Sequence, residues 1–233
     1  MIQDFSDRHV VISGGTGALG LDVLALFLER GAHCWVPCLE EAPTNLNLEG
    51  DDRVHFVENL DLSQEKMVAD FYSSMPSLWA SVHVAGGFAM SPVADTSLAD
   101  FERMWRMNTV SSFLCCQAAV KRMREGNDGG RIVNVAARPA VDPAGGMLAY
   151  TTSKAGVASL TECLAREVAS EGILVNAILP AIMDTPGNRT AMPDADHSQW
   201  PKTADIAQTL AFLASPSNTV TTGALMPVYG RLI

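Results

Sequence analysis

The sequence predicts one α/β domain, a doubly wound fold in which a parallel sheet of seven strands carries helices on both faces. Three observations lead there. Short apolar runs alternate with stretches of helical spacing, the runs are apolar on both faces, and a glycine-rich turn joins the first run to the first helix.

The runs are HVVISGG from His9, HCWVP from His33, VHFVEN from Val54, SVHVAGG from Ser81, RIVNVAA from Arg131, ILVNAILP from Ile173 and GALMPV from Gly223. Each suits a buried strand. Between most of them lie helix-like stretches, with Leu21, Leu24 and Leu28 in the first and Val157, Leu160, Leu164 and Val168 in the one after Tyr150. Residues 180–204, rich in proline, form the least regular stretch, and a helix resumes near Asp205. Long irregular loops are usually functional or disordered, and a substrate lid is the expected role. The whole chain, residues 1–233, reads as a single domain without repeats.

Composition narrows the function classes. A hydrophobic share of 48% supports a sizeable core, and a net charge of −10 argues against a nucleic-acid partner, which generally needs a basic stripe. A small-molecule substrate is favoured. The opening Met-Ile-Gln-Asp lacks the cationic region of a secretory signal, and no apolar run reaches the roughly 20 residues of a membrane span. Cys34, Cys38, Cys115, Cys116 and Cys163 form no CxxC pair and no even set. The chain therefore reads as soluble and cytoplasmic, with reduced thiols, no membrane partner and no metal site.

The stretch SGGTGALG, Ser13 to Gly20, sits between strand and helix, where backbone N–H groups and the helix dipole can receive a pyrophosphate. A dinucleotide is the expected ligand. The second strand should end in an acid for a ribose 2′-hydroxyl or near a cation for a 2′-phosphate, but it ends Pro37-Cys38-Leu39, followed by Glu40 and Glu41. Of NAD(H) and NADP(H), this prefers NADH, although the glutamates also suit a solvated loop. Asp61 is placed either to contact the adenine or to cap a helix.

Tyr150 and Lys154 stand four residues apart at the start of a predicted helix and share its face. An ammonium beside a phenol favours phenolate, lowering the pKa from roughly 10 and making Tyr150 a usable proton donor or acceptor.

Together the glycine-rich turn, Asn108 in MNTVSSF, the YTTSK motif and the VNAILP run with its following threonine resemble the short-chain dehydrogenase/reductase family over nearly the whole chain. The resemblance implies a Rossmann domain acting as an NAD(P)(H)-dependent oxidoreductase. It makes Tyr150 the acid/base, Lys154 the holder of the nicotinamide ribose and Asn108 the residue ordering a relay water. It implies cofactor contacts at Gly14, Thr16, Gly17, Ala18, Leu19, Gly20, Cys38, Asp61, Leu62, Ala85, Gly86, Gly87, Tyr150, Lys154, Pro180, Ile182 and Thr185. It also implies a homodimer or homotetramer joined through helices containing Asn108 to Lys121 and Tyr150 to Val168.

Three departures stand out. Ala18 replaces a usual glycine, His83-Val84-Ala85-Gly86 replaces an NNAG tetrad, and Ala137 occupies the place of the catalytic serine, thirteen residues before the tyrosine. The GALG turn, VAGG, the alanine, Pro143 to Met147 and the Asp184 to Trp200 lid resemble more closely the dihydropteridine reductase branch. That implies reduction of a quinonoid dihydropterin or a similar conjugated cyclic acceptor, with Ala137, Met147, Asn188 and Trp200 near the substrate. Trp105 and Trp200 suit ring stacking or packing. Asp184, Asn188 and Arg189 either orient substrate or pin the loop. An ordinary carbonyl or alcohol oxidoreductase remains the alternative, followed by a non-catalytic nucleotide sensor.

Overall fold

A computed structural model describes residues 3–42 and 51–232. Met1 and Ile2, half of the tetrapeptide read for a targeting signal, lie outside the described residues.

The strands are β1 (His9–Ser13), β2 (His33–Pro37), β3 (Val54–Val57), β4 (Ala80–His83), β5 (Gly130–Val135), β6 (Ile173–Pro180) and β7 (Leu225–Val228), in spatial order β3-β2-β1-β4-β5-β6-β7. Every pairing is parallel; β1, β4, β5 and β6 are buried nearly throughout, whereas the edge strands β3 and β7 are only partly covered. The helices are α1 (Ala18–Glu29), α2 (Glu65–Ser73), α3 (Leu98–Trp105), α4 (Ser111–Gly126), α5 (Leu148–Val168), α6 (Pro186–Ala191) and α7 (Thr203–Ala214).

Side chains alternate along each strand, which divides the core in two. Val10, Ile12, Val82 and Val133 pack with α1 and α7, whereas Val11, Ile132 and Val175 pack with α2, α4 and residues of α5. Because β1 is flanked by β2 on one side and β4 on the other, a crevice opens beyond its C-terminal end, where open α/β sheets bind ligands.

The stretch expected to be irregular is partly ordered. Thr185 caps the six-residue α6, its hydroxyl accepting from the Asn188 N–H at 3.2 Å with Pro186 following at the first helical position. A 3-10 turn covers His197–Gln199, and α7 begins at Thr203, before Asp205. Of the described residues, no helix is long and apolar enough to cross a membrane.

Candidate active site

A cleft of about 1020 Å³ lies at this crevice, lined from the glycine-rich turn through Cys38, Asp61 and Gly86 to Tyr150, Lys154 and Thr185. Its first wall is built by steric necessity. Gly14 adopts φ +68°, and a β-carbon there would come 2.7 Å from the Ala85 N, so the turn can lie against the β4 loop only as glycine. At Gly20 a β-carbon would collide with the Gly14 carbonyl. Gly17 and Ala18 are instead exposed on the cleft wall, and that exposure is why alanine is tolerated at 18. Gly17 starts α1 without a side-chain cap, which leaves first-turn N–H groups for an anion and fits the pyrophosphate of a dinucleotide.

The end of the cleft nearest β2 is lined by Pro37, Cys38, Leu39, Asp61 and Leu62, where the resemblance expects the adenosine. Asp61 is not the cap of α2, a place taken by Gln64. Its carboxylate accepts from the Ser63 N–H at 2.8 Å in a local turn. Burial works against that charge, but the Ser63 and Gln64 hydrogen bonds and the Arg106 guanidinium together hold the carboxyl below its usual range.

At the other end, α5 presents Tyr150 and Lys154 into the cleft on one face. Lys154 is buried, and its Nζ donates to the Val135 carbonyl at 2.8 Å. Burial lowers its pKa to about 8. The same burial raises the Tyr150 phenol to about 12. This corrects the expectation that the neighbouring ammonium lowers it: sequence spacing gives adjacency, but desolvation of the phenolate dominates. The Phe88 ring meets Tyr150 edge-on, centroids 4.9 Å apart.

Asn108 lies in a π-helical turn, Arg106–Val110, between α3 and α4. It is fully buried and does not form part of the cleft wall. Its Oδ1 accepts from the Gly87 N–H at 3.0 Å, and its Nδ2 donates to the Gly87 carbonyl at 3.1 Å and the Ser153 hydroxyl at 3.0 Å. Gly86 separates it from Lys154: a β-carbon there would come 2.5 Å from the Asn108 Oδ1 and 3.1 Å from the Lys154 Nζ. Asn108 thus holds the β4 loop against α5.

Of the remaining expected residues, Gly14, Thr16, Gly17, Ala18, Leu19, Gly20, Ala85, Gly86, Gly87, Ala137, Pro180, Thr185 and Asn188 line the cleft. Ile182 does not, being turned outward while Ala181 and Met183 line it. Met147 is half-buried outside the wall, where its backbone bridges Ser91. Trp200 is buried against His197, ring centroids 4.4 Å apart, and is unavailable for stacking in the cleft. Trp105 borders a separate hollow with Phe101, Val110 and Thr152. Within residues 180–204 several side chains pin one another: Arg189 pairs with Asp184 at 2.5 and 2.9 Å, and the Asn188 Nδ2 donates to the Met183 carbonyl at 2.8 Å.

Sequence reasoning missed Phe88, Arg106 and Met183 on the cleft wall. An aromatic directly after VAGG was the only available signal for the first; the other two depend on the packing of separate elements.

A profile described as short chain dehydrogenase matches residues 8–196. The chain is 28% identical to a glucose 1-dehydrogenase of Gluconobacter oxydans, over 98% of this chain and 92% of that protein. It is 30% identical to a 3-beta-hydroxysteroid dehydrogenase of Comamonas testosteroni, over 96% and 95%. Among solved structures, ElxO with NADP bound superposes with a TM-score of 0.86 at 24% identity, covering 97% of this chain and 98% of that one. With the profile spanning most of the chain and a relative 30% identical over nearly all of it, this protein belongs to the short-chain dehydrogenase/reductase family and is an NAD(P)-dependent oxidoreductase.

Proposed function

We propose that the protein reduces a planar conjugated cyclic acceptor, of which a quinonoid dihydropterin is the model, using NADH in preference to NADPH. The observation that carries this reading is the wall beside Tyr150, where Ala136 and Ala137, both buried, supply methyl groups in place of a serine hydroxyl. An absent oxyanion donor elsewhere costs about 3–4 kcal/mol of transition-state stabilisation. A conjugated ring tolerates that loss because it delocalises the developing charge and chiefly requires a proton.

The bound nicotinamide supplies the hydride. The chain's own residues do the rest. Tyr150, a phenol protonated at neutral pH and kept so by the burial that raises its pKa, donates a proton from its hydroxyl to the reduced ring. Lys154, its Nζ anchored on the Val135 carbonyl, keeps two further N–H donors for the ribose. Asn108 fixes Gly87 and, through Ser153, the first turn of α5. Phe88, exposed at the mouth, offers a flat apolar surface next to Tyr150. Thr185 and Pro180 border the nicotinamide end.

A second reading, an ordinary carbonyl or alcohol oxidoreductase, draws support from the relatives, whose names denote glucose and hydroxysteroid substrates. The deciding measurement follows nicotinamide oxidation with quinonoid dihydropterin, quinones and simple ketones, using each cofactor separately. Turnover of ketones but not of the pterin or quinones eliminates the first reading. The proposal includes a cytoplasmic homo-oligomer joined through the α4 and α5 faces, where Phe113 and Leu148 are exposed.

A further inference from the structure

The strand that ought to lead into a ribose-recognising acid, β2, is followed directly by Cys38, yet the backbone around that residue is built to bring another acid to it. The Cys38 N–H donates to the Val57 carbonyl at 2.8 Å, and the Cys38 carbonyl accepts from the Leu60 N–H, also at 2.8 Å. These two bonds bracket Cys38 and force Glu58 and Asn59 into a two-residue excursion opposite it. Asn59 takes up the turn with φ 55°, a conformation asparagine tolerates better than most residues. The Glu58 carboxylate is then tied down, its Oε1 accepting from the Ala42 N–H at 2.9 Å, just beyond the cleft-lining Leu39.

The surrounding charges reinforce the arrangement. Glu40 and Glu41 are exposed on the same loop, and no lysine or arginine occurs between Cys38 and Asp52. Arg53 is committed to Asp51 and Arg103 to Asp100, while Arg106 faces Asp61. Burial and, after it, the charge of the nearby Glu58 carboxylate push the Cys38 thiol up.

Building on the NADH reading, we propose that Glu58, displaced onto the β3 end, replaces the missing β2 acid as the residue that excludes a 2′-phosphate and so sets the cofactor choice. It acts by charge from the rim, not as a hydrogen-bond partner of the ribose, since its carboxylate is already engaged by the Ala42 N–H and lies outside the cleft wall.

The test measures NADH and NADPH dissociation constants directly, by cofactor fluorescence and calorimetry, in the wild type, Glu58→Gln, and Glu58→Gln with Cys38→Asp. The Glu58→Gln change removes the charge but keeps a side-chain oxygen to accept from the Ala42 N–H. The wild type is expected to bind NADH at least about tenfold tighter, and Glu58→Gln to bind NADPH about fivefold tighter with NADH within twofold, the size of one screened like-charge term. Added salt should shrink the wild-type discrimination, and Cys38→Asp should restore it when combined with Glu58→Gln. If the wild type prefers NADH and Glu58→Gln leaves the ratio intact, or weakens both cofactors equally, the role of Glu58 is overturned while the NADH reading stands. If the wild type binds both cofactors equally, the NADH reading itself falls, and the inference with it.

Discussion

The Lys154 ammonium is turned onto the carbonyl of Val135, 2.8 Å away, in a pocket that buries it beside Tyr150. A cation enclosed with one carbonyl partner is held against a desolvation cost, consistent with its lowered pKa of about 8. Lys154→Met should therefore reduce kcat/KM by about a hundredfold or more while leaving stability unchanged or about 1–2 kcal/mol higher. Urea unfolding at pH 7 checks the second half. A destabilisation above about 1 kcal/mol would mean that the ammonium holds the fold together.

Tyr150 provides the complementary case. No hydrogen bond from a described residue engages its hydroxyl, and the Phe88 contact involves the ring alone. Tyr150→Phe is expected to lower kcat by about 10²–10⁴-fold while cofactor affinity and unfolding midpoint hold steady. Full activity in this variant would remove Tyr150 as the proton donor.

Phe88→Ala tests substrate recognition apart from chemistry. Phe88 is 60% exposed, so the variant should lose little stability. Its KM for a planar acceptor should rise about tenfold, the loss of one stacking surface, with cofactor dissociation constants unchanged. Steady-state kinetics on a planar and a non-planar acceptor compare the two, and an equal rise in KM for both would count against stacking.

Much of this site was readable because its signals are local. Tyr150 and Lys154 share a face by helical spacing, Gly14 and Gly20 mark a turn that admits no side chain, and strands buried on both sides announce themselves as apolar runs. What stayed hidden depends on contacts between distant segments. The enclosure of Asn108 follows from a π-helical turn meeting Gly87 and Ser153, Trp200 is withdrawn by the fold of residues 180–204, and burial reverses the Tyr150 shift expected from adjacency. The Glu58 excursion follows from a backbone bracket between β2 and β3 that no periodicity reveals.

Ala137→Ser tests why the cleft lacks the hydroxyl. Ala137 is 3% exposed, so a serine there must direct its oxygen into the cleft or go unpaired. Restoring the donor should raise kcat/KM for a simple ketone by about tenfold or more and change a conjugated acceptor by less than about twofold. Equal gains for both would detach the alanine from substrate choice.

The departure at His83 predicts an acid-sensitive fold. His83 is buried between β4 neighbours, its Nδ1 2.7 Å from the Asn134 Oδ1 and its Nε2 2.7 Å from the Ser81 hydroxyl, which in turn meets the Tyr72 hydroxyl at 2.7 Å. Asn134 passes the connection to α5 through a 2.9 Å bond to Thr161. Because Asn134 presents its oxygen, Nδ1 carries the proton and Nε2 accepts from Ser81, so the neutral imidazole completes the chain. Burial depresses the pKa from 6.5 to about 4. Between those values the unfolded chain binds the proton and the folded one does not, so stability is complete above pH 6.5 and is lost as pH falls toward 4, by about 3 kcal/mol from this group. His9 and His55, also depressed chiefly by burial, add to the same slope, which makes the wild type alone an ambiguous readout. His83→Asn, the residue the family usually carries there, isolates the contribution. Urea unfolding across pH 7 to 4 should show a shallower loss in this variant than in the wild type, and parallel curves would show that His83 carries none of the acid sensitivity.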